Sequence, residues 1–342
     1  MLKIIHLADV HLEKFLSKEK FPLDIIKERR REVYRNLERV LMGEDADLFL
    51  IAGDLFESQY MGPSQTMVLE DILNRSGKET VICPGNHDPS YSYEGLNLGP
   101  NIKVFKKDNL RYFEYPQLRT RIYGLAWEKS FYKPRELKVD LDENFYNVLM
   151  VHGDLDNQST YMPFSSKNLL RLGFDYIALG HIHKPQKLGS RMAYPGSFDP
   201  YSFKDLGPRG YLKILLKDQE ISLDFIEGSS RSFINKDLEL RPNLSPQIFL
   251  ENLRLMGDDK NFYRINLKGR ISQELYQSME TILDIASESF YYVEFNKLYS
   301  LDMDLSLDPM IRRLFSIIDS QDAKPHVKAK AKEKILNMGV NP

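Results

Sequence analysis

Five of the seven histidines lie in short clusters with acidic or amide residues: Asp9-Val10-His11, Asn86-His87-Asp88, His152-Gly153 and His181-Ile182-His183. Gly53-Asp54 places a further carboxylate at the end of an apolar run. A single histidine says little, because most are satisfied by ordinary hydrogen bonds, but five at comparable positions form a pattern. In extended chain, residues i and i+2 project to one side, so Asp9 with His11, and His181 with His183, can each offer two donor atoms to one concavity. Imidazole and carboxylate donors without thiolate suit divalent manganese, iron or zinc, whereas magnesium or calcium would take mainly oxygen. Asp9, His11, Asp54, Asn86, His152, His181 and His183 give seven donors. One catalytic ion usually takes about three or four from the protein, so two cations are implied, and a carboxylate such as Asp54 can bridge them.

The elements that must deliver these residues can be read around them. Apolar runs Ile4 to Ala8, Leu48 to Ala52, Thr80 to Cys83, Val148 to Val151 and Tyr176 to Leu179 each stop at one of the polar clusters, and each reads as a buried strand. Gly53, Gly85 and Gly180 precede Asp54, Asn86 and His181, where a tight turn must pass close to metal or substrate. Between the strands lie helical stretches, the clearest from Asp24 to Met42, with Ile25, Val33, Leu37, Val40 and Leu41 as its apolar stripe. Loops leaving the carboxyl ends of strands in a helix-covered sheet are the usual place for a ligand. An α/β first domain over residues 1–230 is expected. The Gly228-Ser229-Ser230 stretch, Pro242 and Pro246 mark a turn-rich boundary near 230–245, and a small α+β module follows over 245–305. In that module a strand at Phe262 to Leu267, a helix carrying Ile271, Leu275, Met279, Ile282 and Leu283, and a strand through Tyr291, Val293 and Phe295 are expected. A helix with Ile311, Leu314, Phe315 and Ile318 then leads into a basic tail, together spanning 306–342.

Composition narrows the setting. With 47 basic and 49 acidic residues the net charge is −2, so there is no global basic field to argue for or against nucleic acid. The cluster Lys27-Glu28-Arg29-Arg30-Arg31 reads as the wet face of a helix. The lone cysteine, Cys83, excludes an intrachain disulfide and reads as a buried, inert thiol of a reducing compartment. With no apolar run long enough to span a bilayer and no leader ahead of Leu2-Lys3-Ile4, the expectation is a soluble, cytoplasmic protein without membrane association. His6 falls inside the first strand as a core residue, and His326 belongs to the tail.

Asp9-Val10-His11, Gly53-Asp54-Leu55-Phe56, Gly85-Asn86-His87-Asp88, His152-Gly153 and Gly180-His181-Ile182-His183 together resemble the five ordered motifs of the calcineurin-like metallophosphoesterases, over residues 4 to about 230. Within that superfamily the chain is most similar to the SbcD-type DNA repair nucleases, prokaryotic relatives of the meiotic-recombination nuclease. The pointers are Leu12-Glu13 after His11, Lys184-Pro185-Gln186, Tyr194-Pro195-Gly196-Ser197 and the small module behind. The resemblance implies a four-layer αββα sandwich with a capping domain. It implies that Asp9, His11 and His183 hold one metal, that Asn86, His152 and His181 hold the other, and that Asp54 bridges two ions, manganese by expectation. Water activated by the metals would attack phosphorus, while His87 steadies or protonates the departing sugar oxygen. Asp88 would either orient His87 or cap the following loop as a turn residue. DNA as substrate, an SbcC-type ATPase with a coiled coil docked on the tail and cap, and a homodimer through the first domain are implied in the same way.

One position departs from the pattern, since several relatives of this type carry histidine three residues after the bridging aspartate and this chain has Glu57. That substitution leans towards the bacterial branch and leaves the handling of substrate strands open. Two other readings stand beside the nuclease. A phosphodiesterase or phosphatase acting on small phosphoesters shares the five motifs, although the absence of Asp-Arg-Gly after the second motif argues against the serine/threonine phosphatases. A scaffold that has lost its metals would not need every ligand position filled, as it is here.

Overall fold

Short runs of Leu, Ile, Val and Phe that are apolar on both sides form strands only where both faces of a sheet are covered. Leu48–Ala52 is such a run, buried at all five positions. Its residues divide by alternation, Leu48, Leu50 and Ala52 entering one apolar cluster and Phe49 and Ile51 another. The computed structural model describes residues 1–342 except 15, 17–20, 130, 134–135, 157–158, 219, 303–308 and 339–342. It divides into two compact units, Met1–Ser230 and Arg231–Pro342.

The first unit holds two six-stranded sheets. One runs in the order Glu220–Glu227, Gly210–Lys217, Leu2–Leu7, Leu48–Ala52, Thr80–Cys83, Ile102–Val104, and the other Arg111–Tyr115, Thr120–Gly124, Tyr146–His152, Tyr176–Gly180, Met192–Tyr194, Gln186–Lys187. Leu2–Leu7, Leu48–Ala52 and Thr80–Cys83 are mutually parallel, as are Tyr146–His152 and Tyr176–Gly180. The sheets pack through Ile4, Leu50, Val81, Val148, Met150 and Ala178, forming the central core. Outside the first sheet, Ile5, Leu7, Phe49 and Ile51 meet helices Leu23–Gly43 and Pro63–Ser76 through Val33, Leu37, Leu41, Leu69 and Leu73. Outside the second, Leu149, Val151, Ile177 and Leu179 meet Leu169 of helix Ser166–Arg171 and Phe174. This is the αββα sandwich. Each fully buried Leu, Ile or Val contributes about 1.5–3 kcal/mol of transfer free energy. His6 is wholly buried in the core, its Nδ1 2.8 Å from the Tyr176 hydroxyl. Cys83 is buried as well, and burial pushes its thiol up to about 12.

In the basic cluster of the first helix Lys27, Glu28 and Arg31 are exposed as expected, and Arg29 and Arg30 depart from that expectation. Arg29 is buried at 3% exposure, paired at 2.5 Å with both Glu32 and Asp199. Arg30 pairs with Glu13, also buried. Asn36 donates to the second Asp199 oxygen at 2.9 Å. A guanidinium can be buried only when its donors are matched by acceptors, and Asp199 lies 170 residues along the chain, beyond the reach of a local charge pattern.

The second unit is a parallel sheet ordered Phe233–Leu240, Asp258–Ile271, Phe290–Leu301, crossed by helices Pro246–Leu255 and Gln273–Ser287. Ser245 and Ser272 accept from the amides of Ile248 and Leu275, capping the two helices. Leu240, Phe249, Leu253, Ile265, Leu267 and Met279 fill the core. The passage 230–245, read from sequence as turn-rich, thus contains a strand, and Ile271 ends a strand instead of starting the helix. Helices Pro309–Ser320 and Pro325–Met338 follow. Among the described residues, no helix is long and apolar enough to cross a membrane.

Candidate metal centre

The parallel strands of the two sheets end in loops that run side by side. Asp9 donates its amide to the Gly53 carbonyl at 3.0 Å, His11 to Asp54 at 2.9 Å and Leu12 to Leu55 at 2.9 Å. Sequence spacing suggests an extended Asp9-Val10-His11, but the chain is left-handed there. Asp9 has φ 49°, His11 φ 50°, Asp54 φ 52° and His181 φ 104°. Such backbone costs about 1–3 kcal/mol per residue and persists where surrounding contacts over-determine it. The loops can approach so closely because key positions lack a side chain. A Cβ on Gly53 would collide with the His152 ring, and one on Gly180 with the Ala52 carbonyl.

The side chains converge in two groups sharing Asp9. Asp9, His11 and His183 form the first, and Asp9, Asp54 and His152 the second. His11 Nε2 lies 3.1 Å from His183 Nε2 and 3.9 Å from Asp9 Oδ1, so the nitrogens that would take a cation already face one another. Asp54 Oδ2 stands between the groups, 3.8 Å from His11 Nε2 and 3.3 Å from His152 Nε2. Asn86 Oδ1 is 3.0 Å from the same His152 nitrogen, while His152 Nδ1 donates to the Ala52 carbonyl at 3.0 Å. His181 packs edge-on against His152 with centroids 5.3 Å apart, but its Nε2 is 3.6 Å from Asp154 Oδ1 and it belongs to neither group.

The electrostatics are those of carboxylates and imidazoles buried against one another. Burial would raise Asp54, yet the adjoining His152, with His11 and His87, holds it well below the usual carboxylate range. Burial, only partly offset by His152, lifts Asp9 to about 7. Burial works against a charged His152, but Asp54 outweighs it and lifts the ring to about 9. Burial drives His181 down to about 4, assisted by His152, and His183 to about 3, assisted by His11. Burial thus favours the neutral, coordinating form of both imidazoles, and a cation bound beside His152 and Asp9 would compete with their protons. Oxygen and imidazole donors converging on a bridging carboxylate fit two divalent ions: Asp9, His11 and His183 would hold one, Asp54, His152 and Asn86 the other. When bound, such ions make water nucleophilic at neutral pH and draw charge off phosphoryl oxygens.

Around this centre the structure corrects one expectation and adds to others. Asp88 does not orient His87. Its Oδ1 accepts from the amides of Gly85 (2.7 Å) and Asp54 (3.0 Å), and its Oδ2 from the Leu55 amide (2.7 Å) and the Tyr93 hydroxyl (2.5 Å). It is buried as the acceptor that shapes the turn, the other role sequence allowed. The partner of His87 is Glu57, whose Oε2 lies 2.7 Å from His87 Nδ1 and whose Oε1 lies 2.9 Å from His11 Nδ1. This contact raises His87 above the ordinary histidine value, burial opposing it. Tyr161, half exposed, stacks on His181 at 5.1 Å and 27°. Nothing in the sequence near Tyr161 signals that contact.

Residues 2–185, more than half of the chain, match the calcineurin-like phosphoesterase family. The chain belongs to that family. It is also 28% identical over 244 residues to an uncharacterized metallophosphoesterase, YhaO, of Bacillus subtilis (strain 168). That alignment covers 66% of this chain and 60% of the relative, so the chain spans less than two thirds of the relative's length. That family is one of metallophosphoesterases, and the donor cluster built here is of the kind such chemistry uses.

Proposed function

We infer that this phosphoesterase is a two-metal nuclease of the SbcD type, hydrolysing phosphodiester bonds of DNA in repair, with manganese as the working ion. The observation that carries the reading is His87. It stands outside the two donor groups that share Asp9, in a third with His11 and Glu57, its side chain is 39% exposed, and Glu57 holds its Nδ1 and favours its protonated form. A phosphodiester has a poor alkoxide leaving group, so a positioned acid next to the metals is what its cleavage needs. His183 is also 33% exposed on its side chain, so the centre opens to solvent, which suits a polymer. Asn86, His152 and His181 remain the proposed set for the second ion, His181 turning from Asp154 to reach it.

The partners follow the same resemblance. Helices Pro309–Ser320 and Pro325–Met338 expose Leu314, Ile317 and Val327, an apolar face for an SbcC-type ATPase with a coiled coil. The side chain of Ile311, part of the stripe expected from sequence, lies outside the described residues. A pull-down in which deletion of residues 306–342 leaves ATPase binding intact would refute that docking. A homodimer through the first unit and a cytoplasmic location complete the proposal. The deciding assay is manganese-dependent digestion of end-labelled single- and double-stranded DNA. Cleavage of DNA is expected, and hydrolysis of a small chromogenic diester with both DNAs left intact would point instead to a small-molecule phosphodiesterase.

A further inference from the structure

Glu57 takes the place where several relatives carry histidine, and it is buried at 4% exposure. Its two oxygens are divided between two imidazoles, Oε1 with His11 Nδ1 at 2.9 Å and Oε2 with His87 Nδ1 at 2.7 Å. The rings stand nearly perpendicular, at 84° with centroids 4.9 Å apart. The backbone ties the same loops together, since the Glu57 amide donates to the Leu12 carbonyl at 2.9 Å and the Ser58 amide to the His87 carbonyl at 3.1 Å. We propose that Glu57 is a positioning residue that fixes His11 and His87 together in the Nδ1–H form, so that one carboxylate presents His11 Nε2 to a cation and His87 Nε2 to the reacting phosphate.

A carboxylate only accepts, and a neutral imidazole carries one N–H. With both Nδ1 atoms at hydrogen-bond distance from Glu57, both must carry the proton, and His11 Nε2 is left with the lone pair a metal needs. His11, Glu57 and His87 also lie close enough to hold an ion themselves. That arrangement would cost both hydrogen bonds and put the His11 proton on Nε2, removing the lone pair that faces His183, so the triple is a bracket and not a third metal group. An imidazole at position 57 has a single acceptor nitrogen and could serve only one of the two rings. The carboxylate therefore couples metal retention to acid placement, which a histidine there could not do.

The inference needs phosphoesterase chemistry but no DNA. A chain that cleaves a chromogenic diester and spares DNA would defeat the nuclease reading and leave Glu57's role standing. Metal-free, full-length protein with 15N-labelled histidine gives the direct readout. Both His11 and His87 should show protonated Nδ1, and both signals should vanish in Glu57→Ala. In that variant Mn2+ affinity by calorimetry should fall about 10–100-fold. Turnover of the diester at saturating Mn2+ should fall a further tenfold or more, by roughly the contribution of a positioned acid. Should Glu57→Ala fail to fold, the isosteric Glu57→Gln serves, because its amide has one acceptor oxygen. One ring then keeps protonated Nδ1 and the other inverts, so either Mn2+ affinity or turnover falls without the other. Wild-type protonation of both rings in a folded variant, with affinity and turnover unchanged, would overturn the proposal.

Discussion

Asp88 is where a structural role and a catalytic role make opposite predictions. Its carboxylate accepts three backbone amides, those of Asp54, Leu55 and Gly85, and the Tyr93 hydroxyl, with no exposure to solvent. Asp88→Ala removes all four acceptor contacts. A buried N–H left without an acceptor costs about 1–3 kcal/mol, so three would cost about 3–9 kcal/mol before water enters the space. Admitting a water recovers part of this, leaving about 3–5 kcal/mol, a large share of the roughly 5–15 kcal/mol that a domain has. For a unit of this size that lowers the melting temperature by about 6–20 °C. Because two of the freed amides belong to Asp54 and Leu55, the metal centre should loosen with the turn and Mn2+ affinity should fall. Asp88→Asn should be milder, as its oxygen can still take the Gly85 and Asp54 amides and the Tyr93 hydroxyl can rotate to accept from its NH2, leaving only the Leu55 amide without its acceptor. Thermal denaturation and Mn2+ calorimetry on both variants test this. A stable Asp88→Ala that binds Mn2+ normally but has lost turnover would refute the reasoning and return Asp88 to His87.

Asp54→Ala should lose Mn2+ binding and activity together, whereas His87→Ala should keep Mn2+ affinity and lose most turnover; calorimetry beside a diester assay separates them, and equal metal loss in both would contradict the assigned roles. After metal is stripped with a chelator, reloading should strengthen as pH rises through about 7 and towards about 9, because Asp9 and His152 must shed the protons they hold there, and calorimetry in buffers of differing ionisation heat should register proton release. His6 is held down to about 3 by burial, so below the ordinary histidine pKa the unfolded chain takes up a proton that the folded one refuses, and stability falls as pH drops from 6.5 towards 3. At pH 5 that loss is about 2 kcal/mol relative to pH 7.5, and denaturant titrations of His6→Gln should lack it.

How much of this was legible without coordinates depended on sequence distance. The five strands that end at the site are short apolar runs closed by polar clusters, a local pattern, and all five are found. The approach of Asp9, His11, Asp54, Asn86, His152 and His183 follows once those strand ends are set side by side, while His181 lies against His152 with its Nε2 towards Asp154. The backbone that brings them together was not legible, because left-handed Asp9, His11 and Asp54 are imposed by the neighbouring loop and not by their own preferences. Glu57 reads locally as a turn acid, and its meaning lies in rings 46 and 30 residues away. Arg29 looked solvent-facing for the same reason, since Asp199 neutralises it from across the chain. The strand Phe233–Leu240 escaped notice because its middle, Asn235-Lys236-Asp237, is exposed and polar and finds its place only by pairing with Asp258–Ile271.

The most direct test is anomalous diffraction at the manganese edge from crystals soaked in Mn2+. Two peaks are expected, one among Asp9, His11 and His183, the other among His152, Asn86 and Asp54, with the Asp54 carboxylate between them and a separation of about 3.5–4 Å. No peak, or a single peak enclosed by His11, Glu57 and His87, would contradict the two-cation centre.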